Sequence, residues 1–255
     1  PYAPTRLKAI TITDEMKRAS RGKAFVCSIA PDEDAAIISG GHDADVVLWK
    51  NNAAGYWSSS TYYGSYPRWA EKMNKLVHER SVKWKPLYDT DKYNNFGDKA
   101  PKPFSYSFDG KNKIKTYKTT ACINDEVAEM ALAFLEEECV GNDDIADCIS
   151  LTFYAGNIDG LPMEHRPLEV QDIYARLDHT LASLLDEVDK LFGLENVVIS
   201  LASTGYVMVS NDDGAEYRLP SGTIFMERVQ ALLNVYLAAI FGKGEYIEGV
   251  FGSQI

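Results

Sequence analysis

The sequence predicts an α/β fold, a mostly parallel sheet flanked by helices. Three observations carry this. Helix-like and strand-like segments alternate over residues 125–201 with short links, which favours parallel strands covered by helices. The chain has 255 residues, enough to bury a substantial core. Its 45% hydrophobic and 25% charged residues are ordinary globular values, which exclude disordered and rod-like chains.

The elements follow in order. Residues 10–20 read as a short helix, with Thr13 as its cap ahead of Asp14 and Glu15. Residues 23–29 read as a buried strand. Pro31 stands where a helix can begin, with Asp32, Glu33 and Asp34 in its first turn. Segments 46–49 and 56–57 flank a polar loop and predict a hairpin. Residues 68–79 form an amphipathic helix with Trp69, Met73, Leu76 and Val77 inward. Residues 81–118 lack a clean period and read as an irregular insertion with short strands, such as 105–108. Asn124 is expected to cap a helix over 125–140. Residues 147–154 are a strand. Residues 168–192 carry one apolar stripe, Ile173, Leu177, Leu181, Leu184, Val188 and Leu191, closed by Gly193. Residues 196–201 are the next strand. A further helix over 225–241 is apolar along Val229, Leu232, Leu233, Tyr236 and Ile240.

Charge and cysteines narrow the function. Acids outnumber bases 37 to 26, a formal charge of −11, which argues against a nucleic-acid footprint. No run of 18 apolar residues predicts a membrane-spanning helix. Cys27, Cys122, Cys139 and Cys148 lie far apart without a CxxC pair and read as buried thiols. The apolar end at 246–255 is expected to continue into further chain, so the sequence reads as the middle of a longer protein.

In parallel sheets the loops after strand C-termini hold the chemistry, here 155–167 and 202–213. The first offers Asp159, Glu164 and His165; the second offers Ser203 and Thr204, poor zinc ligands. Solvated loop residues are the simpler reading. His42 follows Gly40-Gly41, where a glycine turn is simpler than a metal loop. His78 and His179 fall in helices. No GxSxG nucleophile elbow is present.

Several segments resemble a known family when taken in order. They are Val26-Cys-Ser-Ile-Ala30 with Ala35-Ala-Ile-Ile-Ser-Gly-Gly-His42, Val47-Leu-Trp49 through Tyr56-Trp-Ser-Ser-Ser-Thr-Tyr-Tyr63, and Tyr66-Pro-Arg-Trp69. Then come Leu168-Glu-Val-Gln-Asp-Ile-Tyr-Ala-Arg-Leu-Asp178, Val198-Ile-Ser-Leu-Ala-Ser-Thr-Gly205 and Leu219-Pro-Ser-Gly-Thr-Ile-Phe225. Together they resemble the alkaline phosphatase superfamily, in its branch of phosphate-irrepressible alkaline phosphatases and type I nucleotide pyrophosphatase/phosphodiesterases. The resemblance implies that 1–255 is the central part of an alkaline-phosphatase-like domain. The irregular insertion is about 81–118, and a cap-like segment starts at about 206–255. It also implies a periplasmic or cell-envelope location.

The family hydrolyses phosphoric esters with two metals, usually zinc, which activate a Thr or Ser nucleophile. The resemblance places one ligand set, Asp-x-x-x-His, at Asn157 and Leu161. It places a second, Asp-His-Gly, at Ser203-Thr204-Gly205. The resemblance places the family's phosphate-holding Lys-x-Arg after the strand 23–29, where this chain has Ala30-Pro-Asp-Glu-Asp34, acidic where a phosphate anion would need cations. The nucleophile and remaining ligands are implied to lie on flanks outside 1–255. These departures imply a non-catalytic homologue without catalytic residues or bound cofactor, with a protein or small molecule as partner. The competing reading is an active metal-dependent phosphoric ester hydrolase whose site the flanks complete. A third is a glycan or small-molecule module using the aromatics of 56–66 and 84–108.

Overall fold

The computed structural model describes residues 2–78, 80–94, 103–109, 113–138, 140–158, 167–203, 205 and 225–249. The chain forms two compact units, 1–208 and 209–255.

The first unit opens with α1, Ile12–Ala19. Its cap is Thr11, not Thr13. Thr11 Oγ accepts the Asp14 N–H at 3.1 Å and the Asp14 carboxylate accepts the Thr11 N–H at 3.0 Å, a reciprocal capping box. Thr13 is instead buried and donates its hydroxyl to the Gly40 carbonyl. Strand β1, Val26–Ala30, is buried at every position, as a central parallel strand requires. Its one polar side chain, Ser28, donates to the Ala36 carbonyl at 2.8 Å. That carbonyl belongs to α2, Glu33–Gly40. Strand β2, Val46–Lys50, turns through the polar loop into β3, Trp57–Ser58, the hairpin expected from sequence. Helix α3 spans Arg68–His78. It buries Trp69 and Val77, but Leu76 is 62% exposed, against the inward position expected of it.

The insertion contributes an antiparallel pair, β4 (Ser81–Trp84) with β5 (Tyr106–Asp109). The short α4, Ile114–Tyr117, precedes α5, Cys122–Glu137. Asn124 lies inside α5 rather than at its cap, and it is fully buried. Strand β6, Cys148–Leu151, leads to α6, Pro167–Phe192. Gly193 closes α6 at φ 74°, a left-handed turn that favours glycine.

The main sheet runs β3-β2-β1-β6. Strand β1 is parallel to both β2 and β6, and β3 is antiparallel to β2. The expected α/β class, with its mostly parallel sheet, is therefore the observed one. The larger core includes Cys27, Ile29 and Leu48 with Trp69, Ile123, Met130, Phe134 and Ile173 from the helices. A smaller one joins Val26, Ala30, Val47 and Trp49 to Ala36 and Ile37 of α2. Cys27, Cys122 and Cys148 are free thiols, and Cys139 lies outside the described residues.

Residues 196–201 are not a strand. A 3-10 turn at Leu194–Asn196 is followed by irregular chain, with Val198 98% and Leu201 84% exposed. β-Branched composition favours a strand only where a ladder can form, and among the described residues none pairs with this segment. In the second unit, α7 spans Met226–Phe241 and buries no residue; Leu232 and Tyr236 of its apolar stripe are exposed.

Candidate functional site

The C-terminal ends of β1, β2 and β6 form one edge of the sheet, and each is followed by a loop whose side chains are heavily committed. Past β1, the Asp32 carboxylate forms an ion pair with the Lys118 ammonium. Asp32 is 65% exposed at its side chain, whereas Lys118 is 4% exposed, so an exposed acid meets a buried base. Lys118 also donates to Asn52 Oδ1 at 2.9 Å and to the Lys50 carbonyl at 3.4 Å.

At the end of β2, Lys50 turns inward. Its Nζ lies 2.6 Å from Glu126 Oε2, which also accepts the Trp57 indole N–H at 3.0 Å. Tyr117 donates its hydroxyl to Glu126 Oε1 at 2.7 Å. Burial pulls the Lys50 ammonium below the ordinary lysine value, with the Glu126 charge opposing it. Burial, then the Glu126 charge, pushes the Tyr117 phenol up. A cavity of about 10 Å³ beside these groups has room for about one water. This cluster is a closed ion pair rather than a substrate pocket.

Past β6, the Thr152 N–H donates to the Ile29 carbonyl at 3.0 Å and prolongs the pairing. Asn124 then clasps the loop: its amide donates to the Tyr154 carbonyl at 2.8 Å and its carbonyl accepts the Tyr154 N–H at 2.7 Å. The Tyr154 hydroxyl donates to the Asn157 carbonyl. Asn157 itself is half-buried. Ser203 is exposed and its hydroxyl bonds the Gly205 carbonyl. Leu161 and Thr204, with Asp159, Glu164 and His165, lie outside the described residues.

The two zinc ions that the resemblance implies would draw on these positions. An amide, an aliphatic chain and two hydroxyls do not fit them, because divalent zinc takes thiolate, imidazole or carboxylate. Among the described residues no group of three or more His, Cys, Asp or Glu side chains converges on a common point. His42 pairs with Asp14 of α1, and His179 Nε2 faces the Tyr88 hydroxyl at 2.7 Å.

Among the described residues the aromatic stretches do not form one stacking surface. Trp57, Trp84, Tyr93 and Phe108 are buried, with Trp84 packed 4.7 Å from Phe104 and 5.5 Å from Tyr106 between centroids. Tyr56, Tyr62, Tyr66 and Tyr88 remain exposed. Lys118 carries no signal in the sequence, and Asn124 is expected there only as a helix cap, yet these two residues organise the sheet edge. Both act on partners at least 30 residues away, and no local spacing signals that.

The chain matches no family model. It is 25% identical to the alkaline phosphatase PafA of Elizabethkingia meningoseptica, over 100% of this chain and 50% of that protein. It is 26% identical to a protein named calcium-transporting ATPase from Myroides odoratus, over 99% of this chain and 50% of that one. Alkaline phosphatase PhoV of Synechococcus elongatus is 26% identical over 79% of this chain and 40% of its own length. The crystal structure of wild-type PafA superposes with a TM-score of 0.58 at 21% identity, covering 91% of this chain and 48% of that one. A multiply substituted PafA variant gives 0.60 at 23% identity, over 94% and 49%. The chain thus spans about half the length of the relatives it matches, and across that span it is similar in sequence to alkaline phosphatases and shares the fold of PafA.

Proposed function

We propose that this phosphatase-like domain is a non-catalytic homologue that has lost the family's metal ligands and serves in binding or scaffolding. The observation that carries the reading is the Asp32–Lys118 pair. Asp32 lies in the acidic stretch 30–34, where the resemblance expects cations for the phosphate, and it pairs with the buried Lys118. Asn157, Leu161, Ser203 and Thr204 supply no carboxylate or imidazole in place of the expected ligands. Phosphoric ester hydrolysis needs roughly 20 kcal/mol of barrier lowering, most of it from positioned positive charge and an activated nucleophile. A phosphate dianion approaching a chain of net charge −11 meets neither. On this reading 1–255 is the central part of the domain, with 81–118 an insertion, 206–255 the start of a cap-like segment, and the periplasm or envelope its location.

The test is metal analysis and turnover on the purified protein. We expect no stoichiometric zinc, and hydrolysis of aryl phosphate mono- and diesters at the background rate. Turnover that a chelator abolishes and zinc restores would establish the competing reading, an active hydrolase with unusual ligation completed by residues outside this chain. The named alkaline phosphatases among its relatives favour that second reading.

A further inference from the structure

We infer that His42 is a proton-operated latch on the strap formed by residues 2–11. With both ring nitrogens protonated it ties the strap to α1. As a neutral ring it lets the strap lift from Trp49.

The geometry sets the requirement. His42 Nδ1 lies 2.8 Å from Asp14 Oδ2 and Nε2 lies 3.0 Å from the Leu7 carbonyl. A carboxylate and a carbonyl can only accept. Both ring nitrogens must therefore donate, and only the imidazolium carries two N–H groups. The neutral ring has one, so it must abandon one partner.

The surroundings decide which partner is lost. Asp14 is buried and fixed by the N–H groups of Thr11 at 3.0 Å, His42 at 2.6 Å and Asp43 at 3.2 Å. It stays in place whatever the ring does, and it holds the remaining proton on Nδ1. Nε2 then turns a lone pair towards the Leu7 carbonyl, which repels it. The strap is the side that releases.

The carboxylates that face the ring favour its protonated form. Asp14 comes from α1 and Asp43 from the ring's own loop, and both act to raise the ring's affinity for its proton. From the 3-10 turn Thr61–Tyr63, the Tyr63 hydroxyl donates to the Gly41 carbonyl at 2.9 Å and remains neutral, its phenol raised by burial. Lys17, on α1, is committed to Asp45 at 2.7 Å. The hydrogen bond to Asp14, followed by that to Leu7, raises His42 above the usual histidine value. Attachment is therefore complete below about pH 6.5 and is lost as pH rises through the folded value. The ring is partly exposed, so protons exchange freely with solvent.

The strap covers something. The Tyr2 ring meets Trp49 edge-on with centroids 5.8 Å apart, and Pro4 is buried. Trp49, 2% exposed, belongs to the smaller core and pairs with Ala30 at the end of β1. Release would uncover this tryptophan beside the sheet edge at Asp32.

The test uses the whole 255-residue chain. The His42 ring is titrated by NMR, and exchange of the Leu7 amide is followed from about pH 6 to about pH 9, corrected for intrinsic base catalysis. That amide bonds the Pro4 carbonyl at 2.8 Å inside the strap. We expect His42 to titrate above the ordinary value and Leu7 protection to fall about tenfold across its titration, the loss of one charge-assisted hydrogen bond. In His42→Gln the protection should be low and flat with pH. A wild-type ring that titrates at or below about 6.5, or protection that does not change with it, overturns the latch, and neither result depends on the variant folding. An equal pH dependence in folded His42→Gln overturns it too.

Discussion

The indole of Trp84 and the carboxylate of Asp172 meet in the interior, Nε1 2.5 Å from Oδ2, although 88 residues separate them in the chain. Asp172 is fully buried on α6 and accepts three more donors: the Leu87 N–H at 2.6 Å, the Tyr93 hydroxyl at 2.6 Å and Arg176 Nε at 2.9 Å. A buried carboxylate is tolerated when its lone pairs are filled and a cation is near, and Arg176 supplies that cation from one turn further along the helix. One side chain thus fastens the irregular insertion to the longest helix.

Removing that acceptor should loosen the insertion. We expect Asp172→Ala to destabilise the chain by about 3–5 kcal/mol, because it strands a guanidinium and three donors. Asp172→Asn should cost less, since its carbonyl still accepts while its amide faces donors. Urea denaturation gives the magnitudes, and near-UV circular dichroism of Trp84 reports the docking.

The Lys50–Glu126 pair should show strong coupling. Both side chains are nearly inaccessible, so Glu126→Leu alone leaves a buried ammonium and should cost about 3–5 kcal/mol. Adding Lys50→Met removes that charge and should recover much of the loss. A double-mutant cycle that gave independent effects would contradict this account.

Asn124 holds the loop after β6 through both backbone groups of Tyr154. Asn124→Leu should cost about 1–3 kcal/mol, from the loss of two partly buried hydrogen bonds to the Tyr154 backbone. Asn124→Asp keeps an acceptor for the N–H but sets a carboxylate against the Tyr154 carbonyl, and should be destabilising as well. Amide exchange at Tyr154 should rise in both variants.

Acid should weaken the first helix by a separate route. Burial alone would raise the Asp14 carboxyl, but hydrogen bonds from the His42 ring and from the Thr11 and His42 amides hold it well below the usual range. Its contribution is present above about pH 4 and is lost as pH falls through the folded value. The denaturation midpoint of wild-type chain should therefore decline towards low pH, and that decline should be shallower in Asp14→Asn. Because Asp14→Asn also removes the counter-charge of His42, its alkaline side should flatten too.

The parts of this fold that were legible in the sequence are those set by local period. The stripe from Ile173 to Leu191 placed α6 within one residue, and the strand read at 23–29 overlaps β1, which runs three residues later at its start and one later at its end, Val26–Ala30. Misreadings arose where distant partners decide. Asn124 is a good cap by residue type, but its side chain is spent on Tyr154, so α5 begins earlier at Cys122. Thr13 gave way to Thr11 because Thr13 is used on Gly40. Residues 196–201 have strand composition but no ladder, and a strand exists only through its neighbour. At the site, residue types were readable, but the capture of Lys118 by Asp32 spans 86 positions and has no sequence signature.

The register of the sheet gives the chain two chemical clocks. Cys27 pairs across β1 and β6 with Ile149, and Cys148 pairs with Val26, so the two thiols point to opposite faces. Cys27 sits in the larger core and Cys148 packs against the smaller one. They cannot oxidise to each other without a one-residue slip of the strands, so an oxidising environment leaves this pair alone. Burial raises both thiols, which leaves them poor nucleophiles while the sheet is closed. Alkylation of each then times the opening of its own face, and the ratio of the two rates tells whether the α2 side or the α5 side of the sheet gives way first.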